Sequence, residues 1–170
     1  MQRLYTQFSL VAFLAIMTIF STQTLAEDAV SSEIILKVAH TGDTADENVT
    51  FAFNLALLDE LPQHQFSTTT IWTEDVNTFS GVLLKDIVEV TGLQGNLVTA
   101  WAINDYMAEF TVGSFAFDNA LIATRLNGDT MHPRDKGPLW VVFPYSDGPE
   151  FQTEAIYAQS VWQLNRLDVE

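Results

Sequence analysis

The sequence has 170 residues and no cysteine, so it offers neither disulfide bonds nor thiolate ligands for a metal. Its seven Lys and Arg residues are outnumbered by 22 Asp and Glu, which gives a formal net charge of −15 at pH 7. A surface this acidic repels nucleic acid and anionic lipid, so neither is expected as a partner.

The first 26 residues have the pattern of a secretory signal peptide. One cation, Arg3, precedes an apolar segment over residues 10–20 and a polar stretch that ends in Thr24-Leu25-Ala26. The apolar segment is about 11 residues long, short of the roughly 20 that span a bilayer, and an uncleaved anchor is the alternative. We therefore expect cleavage after Ala26, a single exported domain over residues 27–170 and no membrane insertion after cleavage.

The rest of the chain predicts an α+β fold of mixed sheets with a few short helices. Residues 55–61, capped by Asn54, and residues 82–91, ended by Gly92, predict helices. Loops are expected over residues 40–48 and 74–78. The segment of residues 156–169 is compatible with strand, helix or both. The predicted strands cover residues 33–39, 49–53, 65–73, 97–103, 107–112, 120–126 and 139–143, and Asn127-Gly128 predicts a hairpin turn.

A turn with two cations stands out in so acidic a chain. Arg134 and Lys136 lie between Pro133 and Gly137, immediately before an apolar run. One interpretation is that they contact an anionic or carbonyl-rich ligand. The other is an internal network in which both cations hold acidic side chains of the same domain. The sequence alone leaves the two open.

Two further places suggest a binding site for a flat heterocycle. Asn104, Asp105 and Tyr106 form a short connection, where the carboxylate can accept hydrogen bonds from a ligand edge with two N–H donors, such as a 2-amino-4-oxo pteridine. A purely structural turn is the alternative. Trp72 can stack a heteroaromatic ring or serve as a core residue, and the other three tryptophans, Trp101, Trp140 and Trp162, are expected in the core.

No pattern in the sequence favours a metal site or a familiar catalytic motif. The three histidines, His40, His64 and His132, are far apart in the chain. A glycine-rich phosphate loop and a nucleophile elbow are both missing.

Five short motifs occur in a recognisable order. They are Thr70-Ile71-Trp72-Thr73, Phe79-Ser80-Gly81-Val82-Leu83-Leu84, Ala102-Ile103-Asn104-Asp105-Tyr106, Arg134-Asp135-Lys136-Gly137-Pro138-Leu139-Trp140 and Val161-Trp162-Gln163-Leu164. Together they resemble the oxidoreductase molybdopterin-binding domains, which are similar to the catalytic domain of sulfite oxidases. The resemblance covers residues 33–169 and implies a sulfite-oxidase-like fold with a pterin-shaped cleft.

The chain departs from the catalytic members of that family at the metal ligand. In those proteins a cysteine ligates molybdenum, close to the position where this chain has Thr68-Thr69-Thr70. Cysteine-free relatives look like periplasmic pterin-binding proteins that act as partners of inner-membrane enzymes of cyclic-di-GMP signalling. The resemblance therefore implies a non-catalytic protein that binds a reduced, metal-free pterin and contacts the periplasmic domain of such an enzyme.

The resemblance also implies a role for each site residue. Trp72 beside Thr73 stacks the pterin, Asp105 pairs with its amino edge, Asn104 and Tyr106 shape the pocket, and Arg134 with Lys136 contacts the carbonyl edge or orients Asp105. Two alternatives stay open. One is a molybdopterin-dependent oxidoreductase in which Thr or water replaces the thiolate, and the other is an interaction module with a vestigial cleft.

Overall fold

The computed structural model describes residues 33–40 and 50–170. The predicted signal peptide and nearly all of the loop predicted over residues 40–48 lie outside these ranges. In the described part of the chain the strands are β1 Ile34–His40, β2 Thr50–Asn54, β3 His64–Thr68, β4 Asn77–Leu83, β5 Leu97–Ala102, β6 Met107–Thr111, β7 Leu121–Leu126, β8 Asp129–Thr130, β9 Trp140–Val142 and β10 Leu164–Val169. The α-helices are α1 Leu55–Asp59, α2 Leu84–Thr91, α3 Phe115–Asn119 and α4 Glu154–Ala158, and 3₁₀ turns cover Pro133–Asp135, Tyr145–Asp147 and Pro149–Phe151.

The strands form two sheets. The first has the order β2-β1-β10-β5-β6, in which β1 and β10 run parallel and the other neighbours run antiparallel. The second has the order β3-β4-β7-β8. Strand β9 also pairs with β7, on the same edge as β8: β8 pairs with the end of β7, and β9 pairs with its beginning. Two sheets with a few short helices confirm the predicted α+β class.

Apolar side chains from both sheets and from α2 form the larger core. Leu36 and Val38 alternate with outward-facing Lys37 on β1, as expected for a strand with one buried face. A smaller cluster around Phe79 and the fully buried Trp140 lies on the second sheet. Trp72 packs against both clusters, so it connects them.

The strand predicted over residues 65–73 is too long. The observed β3 ends at Thr68, and residues 69–76 leave the sheet, with a turn at residues 71–72 and bends at residues 73–75. The Thr70 hydroxyl accepts a hydrogen bond from the backbone N–H of Trp72 at 3.1 Å. A hydroxyl that bonds the backbone two residues further on favours a turn over a sheet ladder. The chain re-enters the sheet at Asn77, earlier than the predicted end of the loop at Thr78.

The helix predicted from residue 82 starts later, at Leu84. Val82 and Leu83 still belong to β4, where they pair with Ile122 and Leu121 of β7. Pairing with a neighbouring strand overrides the helical spacing of these apolar residues, because β-branched and aliphatic side chains also suit a buried strand. The predicted end is confirmed, since Gly92 adopts the left-handed conformation with φ 68°.

Several local predictions are confirmed. Asn54 caps α1 by accepting a hydrogen bond from Leu57 N at 2.8 Å, and Asn127-Gly128 turns β7 into β8 with positive φ at both residues. The final segment contains both α4 and β10. The sequence prediction missed α3, which Ser114 caps. It was also wrong about two tryptophans expected in the core: Trp162 is 37% exposed, and Trp101 is half-buried and belongs to neither core cluster.

Candidate functional site

The turn of residues 69–76 places the half-buried Trp72 at the centre of an aromatic cluster. Four rings surround the indole with centroid distances of 5.8–6.0 Å, and all four contacts are edge-to-face. The four residues are Trp140, Tyr145, Tyr157 and Trp162. Aromatic pairs of this geometry stabilise the fold by more than the apolar area they bury, so the position of the Trp72 ring is fixed by contacts on several sides.

A cavity of about 360 Å³ opens beside this cluster. Its volume falls within the range of small-molecule sites. Among the described residues that line it, none carries a charge. They are Trp72, Ala102, Asn104, Tyr106, Tyr157, Ala158, Ser160 and Trp162, and we call this space the aromatic cavity.

The connection between β5 and β6 forms one wall of the aromatic cavity. The Asn104 Oδ1 atom accepts a hydrogen bond from Tyr106 N at 3.2 Å, an Asx turn that fixes the direction of the loop. The Tyr106 hydroxyl donates to the carbonyl oxygen of Ala158 at 2.6 Å. The wall is therefore tied to α4, which also contributes Tyr157 to the cavity.

Buried polar groups behind the aromatic cavity satisfy one another. The Ser160 hydroxyl donates to Ile156 O at 2.8 Å and lies 2.6 Å from the Tyr145 hydroxyl, which therefore acts as the donor in that second contact. Burial raises the pKa of Tyr145 above its ordinary value, so its phenol stays neutral. With both hydroxyls engaged, the polar groups of the lining that can still contact a ligand are the Asn104 amide, the Tyr157 hydroxyl and the indole N–H groups of Trp72 and Trp162.

The structure brings together three of the seven predicted site residues, since Trp72, Asn104 and Tyr106 all line the aromatic cavity. Thr73 lies behind Trp72, where its hydroxyl contacts the Thr70 hydroxyl at 2.8 Å and accepts from Asn77 Nδ2 at 3.2 Å. Its observed contacts stabilise the turn.

Asp105 lies in a different place. It lines a second cavity of about 350 Å³ on the other side of the β5–β6 connection. Its backbone has a positive φ of 65°, a conformation that Asp and Asn tolerate better than most residues.

Arg134 and Lys136 line neither cavity. The Lys136 Nζ atom lies 5.6 Å from the centroid of the Trp140 ring, a cation–π contact, and Trp140 in turn contacts Trp72. Arg134 is exposed on its 3₁₀ turn. Neither cation forms an ion pair with a residue of the described ranges, so the internal ion-pair network considered above is not observed there.

The threonine hydroxyls close to the expected position of the missing cysteine have structural roles. The Thr68 hydroxyl donates toward Ser146 Oγ at 3.0 Å and accepts from Ser146 N at 2.9 Å. Thr70 is engaged with Trp72 and Thr73. These hydroxyls are therefore engaged within the fold, and the aromatic cavity has no lining cation for the phosphate of molybdopterin.

The described part of the chain has neither a metal-binding cluster nor a membrane-spanning helix. In residues 33–40 and 50–170, no three His, Asp or Glu side chains come close enough to hold a metal ion. Within the same ranges, no helix combines the length and the apolar character needed to cross a membrane.

Five residues of the aromatic cavity were not predicted as site residues: the two small ones, Ala102 and Ala158, and three larger or polar ones, Tyr157, Ser160 and Trp162. Trp162 was assigned to the core because it follows Val161 in an apolar stretch, whereas Tyr157 and Ser160 had no distinguishing pattern. They lie about 90 residues after Trp72 in the chain. Only the pairing of β10 with β5 and the position of α4 bring them to the same cavity.

No protein-family model matches the sequence, and no curated protein matches it. One similar solved structure is the sulfane dehydrogenase SoxCD from Paracoccus pantotrophus. The TM-score is 0.57 at 15% sequence identity, over 79% of this chain and 38% of that one. This chain therefore spans about two-fifths of the length of that structure. At such low identity the likeness is one of fold, and it is distant.

Proposed function

We propose that this protein is an exported, non-catalytic pterin-binding protein and that the pterin occupies the aromatic cavity. The observation that carries the proposal is a cavity of about 360 Å³ lined by four aromatic side chains and by no charged one. A reduced, metal-free pterin is flat and uncharged at neutral pH, and aromatic faces bind such rings well. The motif resemblance to sulfite-oxidase-like domains and the distant likeness to a sulfane dehydrogenase support the same fold family.

The chain's own residues supply stacking and one polar contact in this proposal. Trp162 and Tyr157 offer ring faces or edges to the ligand, while Trp72 forms the back of the cavity. The free amide nitrogen of Asn104 can donate to a pterin carbonyl or ring nitrogen. Asp105 was predicted to pair with the amino edge, but it lines the other cavity, so we assign the polar contact to Asn104.

Two observations favour pterin over molybdopterin as the ligand. The sequence contains no cysteine, and the hydroxyls of Thr68 and Thr70 are engaged in hydrogen bonds within the fold. In addition, the aromatic cavity provides no Arg or Lys for a phosphate group. A protein that binds a pterin without a catalytic metal suits a role in reporting the ligand to a partner. We therefore propose the periplasmic domain of an inner-membrane cyclic-di-GMP enzyme as that partner, on the strength of the motif resemblance.

The first test is to purify the protein from the cells that make it and to measure released pterin and bound metal on one sample. Pterin without molybdenum is the expected result. Stoichiometric molybdenum together with pterin would instead support an oxidoreductase, and the absence of both would favour an interaction module with an unused cavity.

A second test measures binding directly. Ligand-free protein is titrated with reduced and oxidised biopterin while tryptophan fluorescence is recorded, with adenosine as a flat control that lacks the amino-oxo edge. We expect saturable quenching by a pterin and at least tenfold weaker binding of adenosine, about 1.4 kcal/mol. Equal affinity for adenosine would contradict a pterin-specific site.

A further inference from the structure

The second cavity, which contains Asp105, is a separate feature of the molecule. It lies against the outward face of the first sheet, because outward-facing Lys37 alternates along β1 with Leu36 and Val38 of the core. Its volume is about 350 Å³. The lining residues are Ile34, Ile35, Lys37, Trp101, Ala102, Ile103, Asp105, Asn165 and Arg166, and we call this space the cationic cavity.

Three of these side chains stand in one row across neighbouring strands. Lys37 of β1 is the direct partner of Arg166 of β10, and Arg166 is the direct partner of Trp101 of β5. The Arg166 guanidinium lies 4.7 Å from the centroid of the Trp101 ring, and its Nε atom is 3.2 Å from Asp168 Oδ2. These contacts hold the guanidinium in place, and the edge formed by its two terminal nitrogens can still donate to a ligand.

The adjacent positions of Lys37 and Arg166 on paired strands carry an energetic cost. Like charges opposite one another on paired strands destabilise a sheet. Only one of the two is compensated, because Lys37 forms no ion pair with any residue of ranges 33–40 and 50–170. The sequence has seven Lys and Arg against 22 Asp and Glu. Two cations side by side in one cavity are therefore not expected by chance from the composition.

We propose that the cationic cavity binds the oxyanion of a small carboxylate or phosphate ligand between Lys37 and the Arg166 guanidinium. Arg166 supplies the forked donor edge, Lys37 supplies a mobile second charge, and Asn165 adds a polar group at the rim. Asp105 lines the same space and opposes the anion through its own charge. The site is independent of the proposed pterin site, since Ala102 alone lines both cavities.

The test follows the tryptophan indole N–H resonances by NMR while the protein is titrated with inorganic phosphate and, separately, with succinate. Sodium chloride keeps the ionic strength constant and serves as the control anion. The Trp101 resonance is assigned with a Trp101→Phe variant. The Arg166 side chain is 46% exposed, so we expect a saturable shift with a dissociation constant on the order of millimolar.

Three variants should affect the phosphate affinity in different ways. Lys37→Gln should weaken phosphate binding about tenfold or more, because a charge-assisted contact is lost. Asp105→Asn should strengthen it, since a lining negative charge disappears while Asn keeps the left-handed backbone. Lys85→Gln removes a cation that lines neither cavity and should leave the affinity unchanged.

The proposal is overturned if chloride shifts the Trp101 resonance as much as phosphate and succinate do, or if Lys37→Gln and Lys85→Gln behave alike. A response to phosphate alone identifies a phosphate-bearing ligand, and a response to succinate alone identifies a carboxylate. The pterin titration is read out separately, so failure of either site is distinguishable from failure of the other.

Discussion

Asn104 and Asp105 are neighbours in the chain, but their side chains line two different cavities. Asn104 faces the aromatic cavity beside Trp72. Asp105, with its positive φ of 65°, faces the cationic cavity that holds Lys37 and Arg166. The β5–β6 connection therefore separates an uncharged site from a charged one.

Substitution of Asn104 and Asp105 should separate the two cavities by function. Asn104→Ala is expected to weaken pterin binding about three- to tenfold, because one hydrogen bond to the ligand is lost. Asp105→Asn should change pterin affinity by less than about twofold. Fluorescence titration of both variants with reduced biopterin checks this. A larger loss in Asp105→Asn would restore the carboxylate role predicted from the sequence.

Trp162 should contribute more to ligand binding than to stability. Its side chain is 37% exposed, whereas Trp140 is fully buried, so Trp162→Ala removes little core. We expect a twofold to tenfold loss of pterin affinity and a stability cost below about 1.5 kcal/mol. Trp140→Ala serves as the comparison and should cost about 3–5 kcal/mol. Equilibrium urea unfolding and ligand titration measure the two effects, and equal destabilisation by both substitutions would contradict the assignment.

The hydrogen bond from Tyr106 to Ala158 should stabilise the wall of the aromatic cavity. Tyr106→Phe removes the donor to the carbonyl oxygen at 2.6 Å but keeps the ring. Because the group is exposed, we expect a loss near the lower end of the range for a neutral hydrogen bond, about 0.5 kcal/mol. Hydrogen exchange of the residues in α4 should accelerate in this variant. Unchanged exchange there would show that α4 is held by its other contacts.

The pH dependence of stability should reveal the environment of Asp168. Burial raises the pKa of its carboxyl above the ordinary value near 4, and the Arg166 guanidinium opposes that rise only in part. Between the ordinary value and the raised one, the unfolded chain releases this proton first. The native state therefore loses stability as pH rises through that window.

Asp168→Asn removes this pH-dependent loss. The free energy of unfolding of the variant relative to the unsubstituted protein should increase as pH rises from about 3.5 toward neutrality. Urea unfolding of both proteins across this range measures the difference, and Asp129→Asn, at an exposed position, controls for general charge repulsion. A relative stability that falls with rising pH would show that the ion pair with Arg166 dominates over burial.

The sequence by itself determined the α+β class, the cap at Asn54, the turn at Asn127-Gly128 and the end of α2 at Gly92. Each of these depends on local chemistry: a side chain that bonds its own backbone, or a residue that tolerates positive φ. The absence of cysteine also follows from the sequence directly. The signal peptide and the signalling partner stay predictions.

Only the tertiary structure decided which side chains share a cavity. Trp72 contacts Tyr157 and Trp162 because the turn of residues 69–76 lies beside α4 and the residues just before β10. About 90 residues separate the two parts of the chain, and no local sequence pattern predicts a contact over that distance. Lys37 and Arg166 are adjacent because β1 pairs in parallel with the last strand. The register of that pairing is set by the buried faces of both strands, so the placement of the outward-facing cations is a consequence of how the core packs.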